Sequence, residues 1–142
     1  MPVRHAHALW EGTLAKGKGK IGLGSGSFEG PYSFGSRFEE APGTNPEELI
    51  GAAHAGCFSM ALAHELTQKG YAPRQIRTYA DVTLVKEDGG FKITSVELST
   101  EAQVPDIDEE AFLDFAGGAK DNCPVSKALA GTEIKLKARL VG

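Results

Sequence analysis

The chain has 142 residues, 41% of them apolar and 24% charged, with a formal charge of −4 at neutral pH; this size suits one domain, residues 1–142, with an ordinary core. Acids and bases are mixed along it, which leaves no basic footprint for nucleic acid, and no run reaches the roughly 18 apolar residues of a membrane-spanning helix. The start, MPVRHAHALWEG, lacks an apolar leader, so the cytoplasm is the expected compartment, where the two cysteines stay reduced unless chemistry oxidises them.

In chain order, residues 6–14 and 19–23 flank the loop AKGKG and read as a pair of strands. GLGSGSFEG follows as a loop or weak edge strand; it lacks the Gly-Lys-Ser/Thr ending of a phosphate loop. YSFGSRFEE is expected to be extended, and APGTN ends this part with turn residues. TNPEEL then opens a helix, with Asn45 at the N-cap, Pro46 at the first position and Glu48 completing a capping box.

Nothing but Gly51 and Gly56 interrupts good helix formers from Pro46 to Lys69, and Gly70 offers a stop. Apolar residues go nearly all round this helix, which predicts enclosure on most sides. About 24 residues span about 36 Å, so part of the cover is expected from a second copy of the chain. Residues 76–104 hold two alternating runs around EDGG, a hairpin whose buried face would carry Val82, Leu84, Phe91, Ile93, Val96 and Leu98. DIDEEAFLDFAGGAKDN reads as a second long helix capped by Asp106 or Asp108, CPVSKALAG as a short one, and TEIKLKARLV as a closing strand. The pattern is α+β, with antiparallel sheets packed around long central helices.

Cys57 sits in the apolar stretch GAAHAGCFSMALAHEL, where burial alone raises a thiol's pKa and leaves it inert. As a nucleophile it needs a nearby cation, and the candidates are His54 three residues back, Arg37 and the dispersed lysines. Arginine suits best because it is always charged and its planar fork meets a thiolate and a carboxylate together. Glu48 is used by the capping box, leaving Glu47 to hold such an arginine. Glu47 precedes Cys57 by ten helical residues, about 15 Å along the axis; if both serve one site, Glu47 comes from a partner chain.

Cys123 occupies an N-cap before Pro124, where free helix N–H groups favour a thiolate, although a capping cysteine of no chemical consequence fits equally well. A metal site built from His5, His7, His54, His64 and the cysteines is the competing idea, but HELTQ lacks the second histidine of a zinc-protease helix. A binding protein without catalysis is the other alternative.

Taken together, RFE at 37–39, GTNPEELIGAAHAGCFSMAL at 43–62 and CPVSKAL at 123–129 resemble the OsmC/Ohr family of thiol peroxidases, nearest its osmotically inducible protein C branch. The resemblance covers essentially the whole chain. It implies an OsmC-like fold in an intertwined homodimer that exchanges strands and has two sites at its interface. It also implies Cys57 as the peroxide-attacking thiol, Cys123 as the resolving thiol, and Arg37 with Glu47 as the activating pair. The implied substrate is an organic hydroperoxide in preference to hydrogen peroxide, the reductant a dithiol such as a lipoylated protein, and no cofactor is required. Some family members carry the arginine nearer the N-terminus, which makes Arg4 a rival; the match of RFE favours Arg37.

Overall fold

A computed structural model describes residues 1–142, and the chain divides into two compact units, Met1–Leu49 and Ile50–Gly142. In the first, β1 (Ala6–Glu11), β2 (Lys18–Leu23) and β3 (Glu29–Tyr32) form an antiparallel sheet in that order. The predicted strand pair is present, and GLGSGSFEG supplies a turn and the start of the third strand. Gly19 is in register with both Trp10 and Tyr32, whose rings approach to 5.3 Å between centroids and close over it. A Cβ at Gly19 would come within 2.5 Å of the Tyr32 ring, so aromatic cover takes the place of a side chain there. No large apolar side chain of this unit is buried; Leu9 and Leu14 are 57% and 61% exposed.

The stretch read as extended instead forms a short helix, α1 (Phe34–Phe38). The cause is a reciprocal cap: the Ser36 amide donates to Ser33 Oγ at 3.1 Å, and the Ser33 amide donates to Ser36 Oγ at 2.9 Å. A serine three residues after another serves the role that Glu or Gln usually fills, so the start signal is weak in the sequence.

Helix α2 (Pro46–Gln68) begins where expected. Asn45 Oδ1 accepts from the Glu48 amide at 2.7 Å, but Glu48 does not reach back to Asn45; its carboxylate accepts instead from Thr44 Oγ1 at 2.8 Å. Beyond its first turn, α2 buries a stripe at four-residue spacing, His54, Phe58, Leu62 and Leu66, all without exposed surface. The opposite face, Ala52, Ala53, Gly56 and Met60, is open in the single chain, with Met60 76% exposed. Enclosure on most sides is therefore not achieved by one chain.

The stripe packs on a second sheet of order β4-β5-β6, formed by β4 (Gln75–Glu87), β5 (Gly90–Gln103) and β6 (Glu133–Leu140). Gly51 lets α2 approach β4, since a Cβ there would lie 3.3 Å from Val82. The hairpin turns at Gly89 and Gly90, both at positive φ. Thr83 pairs with Ser95 while Leu84 pairs with Ile93, so Thr94 is an extra residue on β5. That bulge carries Phe91 and Ile93 onto the face of Val96 and Leu98 despite the odd spacing between them. Val96 and Leu98 are fully buried, whereas Phe91, at the hairpin's end, is 52% exposed.

The expectation of purely antiparallel sheets is corrected at β6, which pairs parallel to β5. The polypeptide returns through α3 (Glu109–Asn122) and α4 (Pro124–Ala128), a crossover long enough to bring the strand back in the same direction. Asp108 rather than Asp106 caps α3, accepting from the Ala111 amide at 2.7 Å; Asp106 takes φ 68° in the preceding turn. Phe112, Ala116 and Ala119 complete the core.

Candidate active site

Both cysteines lie in the second unit, Cys57 in the middle of α2 and Cys123 at the junction of α3 and α4. The buried stripe of α2 turns Phe58 to the core and leaves the neighbouring sulfur at its edge. Cys57 is part-exposed and Cys123 has no exposed surface. Their thiols are free and in hydrogen-bonding contact with one another, although 66 positions separate them in sequence.

Electrostatics divides the pair. Burial pushes the Cys57 thiol up, and its hydrogen bond to Cys123 and that neighbour's charge push the same way, with the Val125 amide opposing them. Burial also pushes Cys123 up, but the hydrogen bond from Cys57, the Ser126 amide and hydroxyl and the Val125 amide together outweigh it and hold that thiol below its ordinary value. In the single chain, Cys123 is therefore the thiol that ionises more readily, and Cys57 the one that holds its proton longer. Cys123 takes the N-cap position expected for it, without making a regular side-chain cap, and the first amides of α4 face the sulfurs.

Ser126 is the residue that the sequence reading passed over. Its only mark was its place three residues after the cap, the position from which a side chain folds back over a helix start. Its Oγ lies 2.7 Å from Nε2 of His54, which is fully buried one turn before Cys57. His54 thus faces Ser126 rather than serving as the cation beside Cys57, and burial lowers its pKa, favouring the neutral ring.

Arg37 and Glu47 belong to the first unit and form a two-pronged pair. Arg37 Nε donates to Glu47 Oε1 at 3.0 Å and Nη2 to Oε2 at 2.8 Å. Nη1 has no partner in the chain, the Arg37 side chain is 35% exposed, and its guanidinium carbon lies 5.3 Å from the centre of the Phe38 ring. Phe34 packs against Phe38 at 4.9 Å. The α1 position is fixed by Ser36, which donates to the Thr44 carbonyl at 2.7 Å, and by Asn45, whose amide donates to the Ser36 carbonyl at 3.0 Å. Arg4 makes no such pair.

Of the apolar residues next to Cys57 along α2, Phe58 is a core residue with no exposed surface and Met60 is open. No three His, Cys, Asp or Glu side chains gather as metal ligands would.

Residues 38–138 match the sequence profile of the family described as OsmC-like protein. The chain belongs to the OsmC family. It is 49% identical over 138 residues to the peroxiredoxin OsmC of Escherichia coli strain K12, covering 96% of each chain. It is 32% identical to the organic hydroperoxide resistance protein OhrB of Bacillus subtilis strain 168, over 71% of this chain and 74% of that one. The crystal structure of B. subtilis OhrB superposes with a TM-score of 0.68 at 28% identity, covering 96% and 98% of the two chains. An OsmC structure from Legionella pneumophila, at 21% identity, shares the fold with a TM-score of 0.71 over the full length of both. The α+β, OsmC-like architecture expected from the sequence is thus the fold of the chain.

Proposed function

We propose that this thiol peroxidase reduces organic hydroperoxides to alcohols at Cys57, with Cys123 as the resolving thiol. The observation that carries the reading is the facing pair of thiols, of which only Cys57 is open to a substrate. As thiolate, Cys57 attacks the terminal peroxide oxygen; the O–O bond breaks, the alcohol leaves with a proton, and Cys57 becomes a sulfenic acid. Cys123 then attacks the Cys57 sulfur, the S–O bond breaks, water departs and a disulfide closes. An external dithiol, such as a lipoylated protein, returns both thiols.

The first step needs the charge on Cys57, whereas in the single chain Cys123 is the more readily ionised of the two. A guanidinium beside Cys57 would reverse that order, and Arg37, tethered by Glu47 and with Nη1 unspent, is the cation proposed for it. Glu47 and Cys57 are ten residues apart on one helix, about 15 Å along its axis. We therefore assign the Arg37–Glu47 pair of one protomer to the thiols of the other in a homodimer. Two features support the dimer. The first unit buries no large apolar side chain, although a three-stranded sheet needs one face covered to be stable. The α2 face around Met60 is open as well. In that assembly both units of residues 1–142 act as one functional domain, in the cytoplasm.

Phe34 and Phe38 beside Arg37 supply an apolar surface for an alkyl group, which supports a preference for organic peroxides. With a dithiol reductant, kcat/KM for cumene hydroperoxide is expected to exceed that for hydrogen peroxide by at least about tenfold, the worth of burying one or two methylenes. Equal values would remove the organic substrate from the assignment.

A further inference from the structure

The disulfide mechanism proposed above uses two sulfurs and a guanidinium, and leaves unexplained a fully buried histidine one turn from the attacking thiol. His54 has no exposed surface, its Nε2 lies 2.7 Å from Ser126 Oγ, and its Nδ1 is buried with no partner at all. Ser126, itself buried, turns the same hydroxyl to Cys123. The path His54–Ser126–Cys123–Cys57 thus starts and ends on α2 and crosses α4 between. Resting on that mechanism, we propose that His54 is a positioning residue for disulfide closure: it holds the Ser126 hydroxyl hydrogen on Cys123, keeping that sulfur ready to attack the sulfenic acid.

Serine has one hydroxyl hydrogen, so the imidazole tautomer decides where it points. With hydrogen on Nε2, His54 donates to Ser126 Oγ, and the serine hydrogen is free to donate to the Cys123 thiolate. With hydrogen on Nδ1, the bare Nε2 draws the serine hydrogen to itself and Cys123 loses a donor. Because Nδ1 meets no partner, no contact on that side selects a tautomer, and Cys123 selects the first when it ionises to attack. Burial keeps the ring neutral, so it does not place a cation beside the reacting sulfurs. During closure the S–S bond forms as the Cys57 S–O bond breaks. The departing hydroxide takes up a proton equivalent to the one Cys123 gave up, leaving as water. Neither His54 nor Ser126 is consumed.

The test separates attack from closure. Reduced, full-length protein is mixed with one equivalent of cumene hydroperoxide and quenched at intervals with dimedone, and intact mass reports thiol, trapped sulfenic acid and disulfide. In His54→Leu, which keeps volume, and in Ser126→Ala, the ratio of closure rate to attack rate is expected to fall on the order of tenfold, the worth of one hydrogen bond to a charged sulfur. Trapped sulfenic acid should rise accordingly. His54→Gln, which retains an amide donor, should recover most of the ratio, and thermal unfolding identifies any variant that fails to fold. An unchanged ratio in both folded His54→Leu and Ser126→Ala overturns the proposal, as does a His54→Gln ratio no better than that of His54→Leu, which would mean packing alone. If wild-type protein consumes peroxide but forms no disulfide, the mechanism beneath the proposal fails and the inference falls with it.

Discussion

Replacing Cys57 by serine is expected to abolish peroxidase turnover, lowering kcat/KM by about four orders of magnitude or more, because the one remaining thiol, Cys123, has no exposed surface. A serine hydroxyl keeps the size and loses the thiolate. Cys123→Ser should behave differently. Its Cys57 still attacks, so about one peroxide per chain is consumed before the cycle stalls, and the stranded sulfenic acid is then open to further oxidation to the sulfinic acid. Consumption followed by a lasting halt, read as a peroxide burst, distinguishes the two variants. The asymmetry follows from access: Cys57 is part-exposed, Cys123 has no exposed surface. A burst in Cys57→Ser and none in Cys123→Ser would exchange the two roles, in line with the readier ionisation of Cys123 in the single chain.

Removal of the Arg37 guanidinium has the second largest expected effect. Arg37→Ala should slow peroxide attack by about two to three orders of magnitude, the usual cost of one preorganised charge-stabilising group. Arg37→Lys should recover only part of this, since an ammonium cannot reproduce the paired bonds of 3.0 and 2.8 Å to Glu47. Co-expression tests the assembly at the same time. A mixed dimer of one Arg37→Ala chain and one Cys57→Ser chain contains an intact Cys57 facing an intact Arg37 only if the pair acts across the interface. About half the wild-type activity per dimer is then expected, whereas a pair acting within its own chain gives none.

The candidate site residues could be singled out in the sequence because their neighbours carry strong local signals. Asn45 and Pro46 announce α2, which carries Glu47 and Cys57, and Pro124 marks the start of α4 behind Cys123. The hairpin was equally plain at EDGG. What escaped were contacts decided at long range or by weak substitutes for familiar signals. Helix α1 was missed because Ser36 stands where a glutamate would complete the cap. The parallel direction of β6 depends on how far α3 and α4 carry the polypeptide, which alternation within β6 does not encode. The bond from His54 to Ser126 joins positions 72 residues apart, and neither residue has a neighbour that points to the other. Glu48 shows the limit of a motif: its amide obeys the cap while its carboxylate turns to Thr44. Phe58 adjoins Cys57 in sequence, yet one helical step rotates it fully into the core.

The most direct test of the account is the intact mass of the reduced protein after one equivalent of organic hydroperoxide. A loss of about two mass units per chain, with peptide mapping that joins Cys57 to Cys123, is the expected result, since closing one disulfide removes two hydrogens. A stable gain of about sixteen mass units confined to Cys57, or no change in mass while peroxide is consumed, would contradict it.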